Sequence, residues 1–261
     1  RLLMPKMTYR EAVTKALADA MRADENVVFF GEDVAVAGGV FKTTPGLYEE
    51  FGGSRVRDTP ISEQAFIGAA LGAAITGLRP IAELMFADFV PVAMDQIVNQ
   101  IAKYRYMSGG QFIVPLTIRA AQGAGAGFGT QHSQCAESWL MNIPGLKIVV
   151  PGTVADMYGL LRSAIEENNP VIVLEHKVLY NFAEEVPDQL AHVPLGKAVV
   201  RRPGKDVTVV ATQLVMQRSL EAADILAKEG VDVEVIDLRT IAPLDEDTIL
   251  TSVAKTHRLM V

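Results

Sequence analysis

Apolar positions along this chain recur either at helical spacing or in short unbroken runs, and the two patterns take turns. Residues 8–23, TYREAVTKALADAMRA, put Ala12, Val13, Ala16, Leu17 and Met21 on one face, which predicts an amphipathic helix capped by Thr8. Val27, Val28, Phe29 and Phe30 form a run short enough for a buried strand, ended by Gly31-Glu32-Asp33. Residues 34–53 are glycine-rich and weakly patterned, so a loop with a short helix near 45–51 is expected. Residues 65–78, AFIGAALGAAITGL, carry no charge and include Gly68, Gly72 and Gly77. Apolar all round, this stretch predicts a buried helix starting near Ser62, and its small side chains allow another backbone to approach closely.

A strand is expected at 79–86. A helix over 88–107 should turn Val92, Ile97, Val98 and Ile101 inward, before a strand at 114–119. A glycine-rich loop, 120–130, is closed by 131–134. Strand 146–150, helix 153–167 and strand 170–175 follow. This alternation predicts an α/β fold, a mostly parallel sheet with helices on both faces. Residues 180–204 break the rhythm with Pro187, Pro194 and Pro203, and read as an interdomain connection. Strand, helix, strand and helix then return at 206–211, 215–228, 231–238 and 244–255, with a last strand beginning at 258. The expected plan is a first domain over 1–185, a linker over 186–204, and a second α/β domain over 205–261 that stops, apparently truncated, at Val261.

Composition narrows the function classes. A hydrophobic content of 49% over 261 residues, with mean hydropathy +0.22, is ample for a core. A net charge of −7 and a pI near 5.2, with no Lys/Arg cluster, argue against nucleic acid and anionic membrane surfaces. The single cysteine, Cys135, excludes an internal disulfide framework. The longest uncharged apolar run is the 14 residues above, short of the roughly 18 that a membrane span needs. RLLMPKMTYR lacks the apolar core of a signal peptide, and a first residue of Arg suggests sequence trimmed upstream of Met4 or Met7. The expectation is a cytoplasmic protein, or a matrix protein in a eukaryote.

Candidate chemistry is sparse. Gly123, Gly125, Gly127 and Gly129 do not meet the G-x-G-x-x-G spacing, and no GK[ST] follows, so the segment reads as a loop delivering Gln131-His132-Ser133-Gln134 to a cleft. The four histidines have no zinc-ligand spacing. His132 is therefore either polar surface or an acid/base group. Ser133 and Ser138 lack a nucleophile-elbow setting. Glu63, opening the small-residue helix, is either a first-turn acid stabilised by the dipole or a reactive carboxylate. Met85 and Phe89 flank a strand end, as core or as a surface for a flat ring. The helix ending at 163–170 has no glycine cap, so its last carbonyls call for Asn169 or a monovalent cation.

Several stretches, in order and in register, resemble one family: 31–34 (GEDV), 57–63 (RDTPISE), 77–80 (GLRP), 95–99 (DQIVN), 107–110 (MSGG), 131–134 (QHSQ), 144–147 (PGLK), 235–240 (VIDLRT) and 243–245 (PLD). They look like the beta subunit of the thiamine-diphosphate-dependent decarboxylating component of 2-oxo acid dehydrogenase complexes, from about residue 8 to the end. The resemblance implies a transketolase-like, thiamine-pyrimidine-binding domain and a cofactor shared with an alpha subunit in an alpha2beta2 heterotetramer. The alpha subunit supplies the magnesium site, since this chain has no GDG motif. Glu63 is implied as the carboxylate that hydrogen-bonds the pyrimidine ring, with Met85 and Phe89 against that ring. His132 is implied as the proton donor facing the lipoyl group of an acyltransferase core. Leu116, Ala164, Ile165, Glu167 and Asn169 fall on a potassium site, with Glu167 where aspartate is expected. The implied reaction is oxidative decarboxylation of pyruvate or a related 2-oxo acid, with acyl transfer to lipoamide. Met85 and MSGGQF (107–112) are closer to pyruvate and acetoin types, while FADF (86–89) is similar to the branched-chain type. The reading outside enzymes is a non-catalytic scaffold subunit.

Overall fold

The computed structural model describes residues 5–261; residues 1–4, part of the start that lacks a signal-peptide pattern, lie outside the described residues. The chain begins with β1 (Lys6–Thr8) and α1 (Tyr9–Ala23). Thr8 starts α1 with a capping box: the Glu11 amide donates to its hydroxyl, and its own amide donates to the Glu11 carboxylate at 2.7 Å. Next come β2 (Val27–Gly31), α2 (Leu47–Phe51), β3 (Val56–Asp58), α3 (Glu63–Ile75) and β4 (Arg79–Leu84). The helix expected over 88–107 is three pieces: a 3-10 segment (Ala87–Ala93), a π turn (Gln96–Ile101) and α4 (Ala102–Met107). Pro91 lies inside the first piece and has no N–H to give, which interrupts α-helical pairing there.

The remaining elements are β5 (Thr117–Gln122), α5 (Glu137–Leu140), β6 (Lys147–Val149), α6 (Val154–Glu166), β7 (Val171–His176), β8 (Ala183–Glu185), β9 (Val199–Arg202), β10 (Val207–Ala211), α7 (Gln213–Ala227), β11 (Val233–Asp237), β12 (Thr240–Ala242), α8 (Glu246–Thr256) and β13 (Leu259–Met260).

A seven-stranded sheet runs β12-β6-β7-β5-β4-β2-β3, parallel apart from the edge strand β12. One face is covered by α1 and α6, whose Leu17, Met21, Leu160 and Leu161 are fully buried. The other is covered by α3 and the 87–107 segments through Ile67, Leu71, Ile97 and Ile101. Strands buried on both faces read as continuous apolar runs, which is why they were legible without alternation. A four-stranded sheet, β13-β10-β11-β9, forms a second unit with α7, around Met216, Ala223, Val233 and Val235.

Two expectations fail in instructive ways. The stretch read as a bare connection contains β8, which pairs with β1, and β9, which pairs with β11, both antiparallel. Strands of three or four residues are too short to show a period. The helix read as buried all round is half open: Phe66, Ile67, Ala70, Leu71 and Ala74 are buried, whereas Ala65, Ala69, Gly72 and Thr76 are exposed. Alanine and glycine count as apolar but give this chain's core nothing to bury on that face. Gly68 earns its place differently, since a Cβ there would stand 3.0 Å from Gln96 Oε1. No helix among the described residues is long and apolar enough to cross a membrane.

Candidate active site

Parallel strands all present their carboxyl ends to one edge of the sheet, and ligands of open α/β sheets bind outside that edge. Here the edge collects Glu32 after β2, Met85 and Phe86 after β4, Gly123 after β5, and His176 and Lys177 at the end of β7. β3 reaches the same edge and leads through Pro60 into α3, whose first residue is Glu63. Ser62 makes no side-chain cap, so the positive end of α3 faces a carboxylate rather than a hydroxyl.

Glu63 and Glu32 are each 6% exposed. Burial first, then the negative charge of Glu63, lifts the Glu32 carboxyl to about 7, with Asp33 and Glu83 adding to the rise. Glu32 Oε1 is buried without a hydrogen-bond partner among the described residues. An orphaned acid oxygen beside a second buried acid is a place made for a polar group from outside the chain. Glu32 was read from sequence as the end of a strand and as part of the 31–34 stretch, with no role of its own; periodicity carries no sign of which acids will face each other.

His132 lies at the end of a single 3-10 turn, Thr130–His132, after the exposed glycine-rich loop. Its ring stands edge-on to Phe86 at 4.4 Å and to Phe89 at 5.5 Å between centroids, so the structure brings His132 and Phe89 together. Met85 and Phe89 are half-buried, with part of each surface open at the edge. Gly123 starts the loop at φ +94°, and a Cβ there would sit 2.4 Å from His176 Nε2, so only glycine fits. Burial, and then the charge of Lys177, pushes His176 down to about 4, leaving a neutral ring whose Nδ1 accepts from the Val178 amide.

Under the site lies an ion network that the sequence reading missed. Arg119 donates to both oxygens of Glu175 at 2.7 and 2.8 Å and to Glu83 at 2.5 Å, and Tyr180 donates to Glu175 at 2.9 Å. Burial pushes the Glu83 carboxyl up against the pull of Arg119. The available signal was a charge set inside each of three largely apolar strands, Glu83 in β4, Arg119 in β5 and Glu175 in β7, with Glu83 directly opposite Arg119 in the register of β4 and β5.

The five residues assigned to a cation gather at the opposite, amino edge of the sheet, where α6 ends and β7 begins. There Arg79 donates to the carbonyls of Ile165 (3.1 Å) and Glu167 (3.3 Å), the Glu167 amide to Ala164 O, and the Val171 amide to Leu116 O. The carbonyls read as orphans therefore have donors. Asn169 is not their cap, since its amide nitrogen donates to Glu167 Oε1 and its oxygen accepts from Arg105. Glu167 also pairs with Lys147.

Residues 5–182 match the transketolase pyrimidine-binding domain, and residues 196–261 the transketolase C-terminal domain. The chain is 50% identical over 258 residues to the pyruvate dehydrogenase E1 component subunit beta of Rhizobium meliloti, covering 98% of this chain and 56% of that one. It is 49% identical to the beta subunit of acetoin:2,6-dichlorophenolindophenol oxidoreductase from Bacillus subtilis, covering 96% and 77%. Among solved structures, an inactive beta4 tetramer of a split-gene transketolase superposes with a TM-score of 0.80 at 26% identity, covering 97% and 78%.

Proposed function

The chain belongs to the transketolase-type family that holds the beta subunits of pyruvate and acetoin dehydrogenases, and on that premise we propose that it is the beta half of a thiamine-diphosphate-dependent 2-oxo acid dehydrogenase. The observation carrying this reading is the buried Glu63–Glu32 pair at the carboxyl edge, inside the stretch that matches a pyrimidine-binding domain. The donor set suits an aminopyrimidine: Glu63 would hold a ring nitrogen, Glu32 would supply or take a proton beside it, and Met85 and Phe89 would present apolar surface to the ring. Thiamine diphosphate, when bound, supplies the nucleophilic carbon for attack on a 2-oxo group. His132 would hold the proton needed as the acyl group passes to one sulfur of a lipoyl disulfide, whose S–S bond breaks and whose other sulfur leaves as a thiol.

With no GDG motif in the chain, the magnesium and diphosphate fall to an alpha subunit. An alpha2beta2 heterotetramer docked on a lipoyl-bearing acyltransferase core is the assembly that fits, in the cytoplasm or in a mitochondrial matrix. The exposed small-residue face of α3 suits close contact with another subunit. Potassium at Leu116, Ala164, Ile165, Glu167 and Asn169 would be structural, at the edge away from the chemistry. The chain spans little more than half of the Rhizobium subunit and about three quarters of the Bacillus one, and the similarity to the latter keeps acetoin as the second substrate. Reconstitution with an alpha subunit, followed by turnover of pyruvate, acetoin and 3-methyl-2-oxobutanoate, decides among them. Pyruvate should be preferred, and absence of pyruvate turnover overturns that assignment.

A further inference from the structure

The segment after β4 does more than offer Phe89. Within four residues it carries Phe86, Asp88 and Phe89, and all three touch the loop that holds His132. The two aromatic rings meet the imidazole edge-on. Between them in sequence, Asp88 Oδ1 accepts the amides of Ser133 at 3.2 Å and Gln134 at 3.0 Å, the two residues after the histidine. Gln134 is held from the other side as well, because the Gly123 amide donates to its carbonyl at 3.0 Å. The loop is thus tied where it leaves β5 and where it returns, while residues 124–131 between are all exposed.

Asp88 is only 8% exposed, and its second oxygen, Oδ2, is buried without a partner among the described residues. Lys177 Nζ is also buried without a hydrogen-bond partner and lies 5.5 Å from the centre of the Phe86 ring. The charges of Asp88 and Lys177 act on each other. Two amide donors stabilise a buried carboxylate, and an opposite charge nearby lowers the remaining cost of burying it.

We propose that Asp88 is the positioning residue for His132: its carboxylate latches the two amides that follow the histidine, with Lys177 as the balancing cation. As a role in acyl transfer this rests on the reading of His132 above; as a latch it stands on the geometry alone. Asp88→Leu keeps the branched shape with somewhat more bulk and removes the acceptor, whereas Asp88→Asn keeps an acceptor oxygen and removes the charge. Hydrogen exchange on the full chain should show the amides around 133–134 exchanging about tenfold faster in Asp88→Leu, with β5 and β7 unchanged. Asp88→Asn should restore most of the protection. Should Asp88→Leu fail to fold, the same comparison is made with Asp88→Ala. Unchanged exchange at 133–134 in either acceptor-free variant, or exchange that rises equally across β5 and β7, overturns the latch. In the complex reconstituted with an alpha subunit, the acceptor-free variant should lose transfer to a lipoyl domain more than decarboxylation read with a dye acceptor. Local loosening with both activities intact would retain the latch and overturn its role in acyl transfer.

Discussion

Glu32 titrates near neutrality because it is buried beside Glu63. Its carboxyl stands at about 7, against an ordinary 4.5. A carboxyl whose folded value is raised favours the protonated fold, so its contribution to stability is complete below about 4.5 and is lost as pH rises through about 7. Glu32→Gln fixes the neutral form. The variant should be more stable than wild type at pH 8 by on the order of 1 kcal/mol, or roughly 2–4 °C, with the gap closing by pH 5. Thermal melts at pH 5, 6.5 and 8 check this. Parallel curves for the two proteins would remove the proposed coupling.

Glu63→Gln tests the cofactor reading directly. Glutamine preserves size and hydrogen-bond reach but cannot hold or yield the carboxyl proton. Activity of the reconstituted complex should fall by roughly 10²–10⁴-fold, the usual range for a positioned acid or base. The melting temperature should hold. Near-normal turnover would leave the scaffold reading standing and end the catalytic one.

How far these residues could be read from sequence follows from what periodicity reports. β2, β4, β5 and β7 were visible because a sheet buried on both faces demands apolar runs, and α1 because Thr8 precedes a face of Ala12, Val13, Ala16, Leu17 and Met21. β8, β9 and β12 were not, since pairs of three or four residues take their partners from distant strands rather than from their own pattern. Glu63 and His132 stood out through their neighbours, a small-residue helix and a glycine loop. Glu32, Arg119 and Asp88 did not, because what distinguishes each is a partner far along the chain on another element: Glu63 for Glu32, Glu175 at 56 residues for Arg119, and Ser133 at 45 for Asp88. The acids could be counted in the sequence; their facing pairs needed the sheet register.

Arg119→Met should strongly destabilise the first unit. Methionine fills the space but leaves Glu83 and Glu175 buried with no cation between them. Removing one partner of a buried ion pair costs about 3–5 kcal/mol. Urea denaturation should show a loss of that size, while Arg119→Met combined with Glu83→Gln and Glu175→Gln should recover much of it. A triple variant no more stable than the single one would argue that packing, rather than uncompensated charge, sets the cost.

His132→Ala separates two half-reactions. If the imidazole serves acyl transfer, transfer to a lipoyl domain should drop by about 10²-fold or more while decarboxylation with a dye acceptor is partly kept. Phe86 and Phe89 lose only an edge contact, so stability should change by less than about 1 kcal/mol. Equal losses in both assays would place His132 in the earlier chemistry instead.

The amino edge offers a cation test with a built-in control. The carbonyls of Ile165 and Glu167 already accept from Arg79, so any potassium there shares its ligands with a guanidinium. Arg79 therefore offsets part of what the ion would contribute, and removing it should make the protein lean harder on the ion. Replacing potassium by lithium at constant ionic strength should lower the melting temperature of wild type by roughly 2–4 °C, and that of Arg79→Met by more. If potassium is held there, the smaller ion would bridge the same carbonyls less well. Identical melting temperatures in both salts, for both proteins, would show that Arg79 and the backbone amides alone satisfy this helix end.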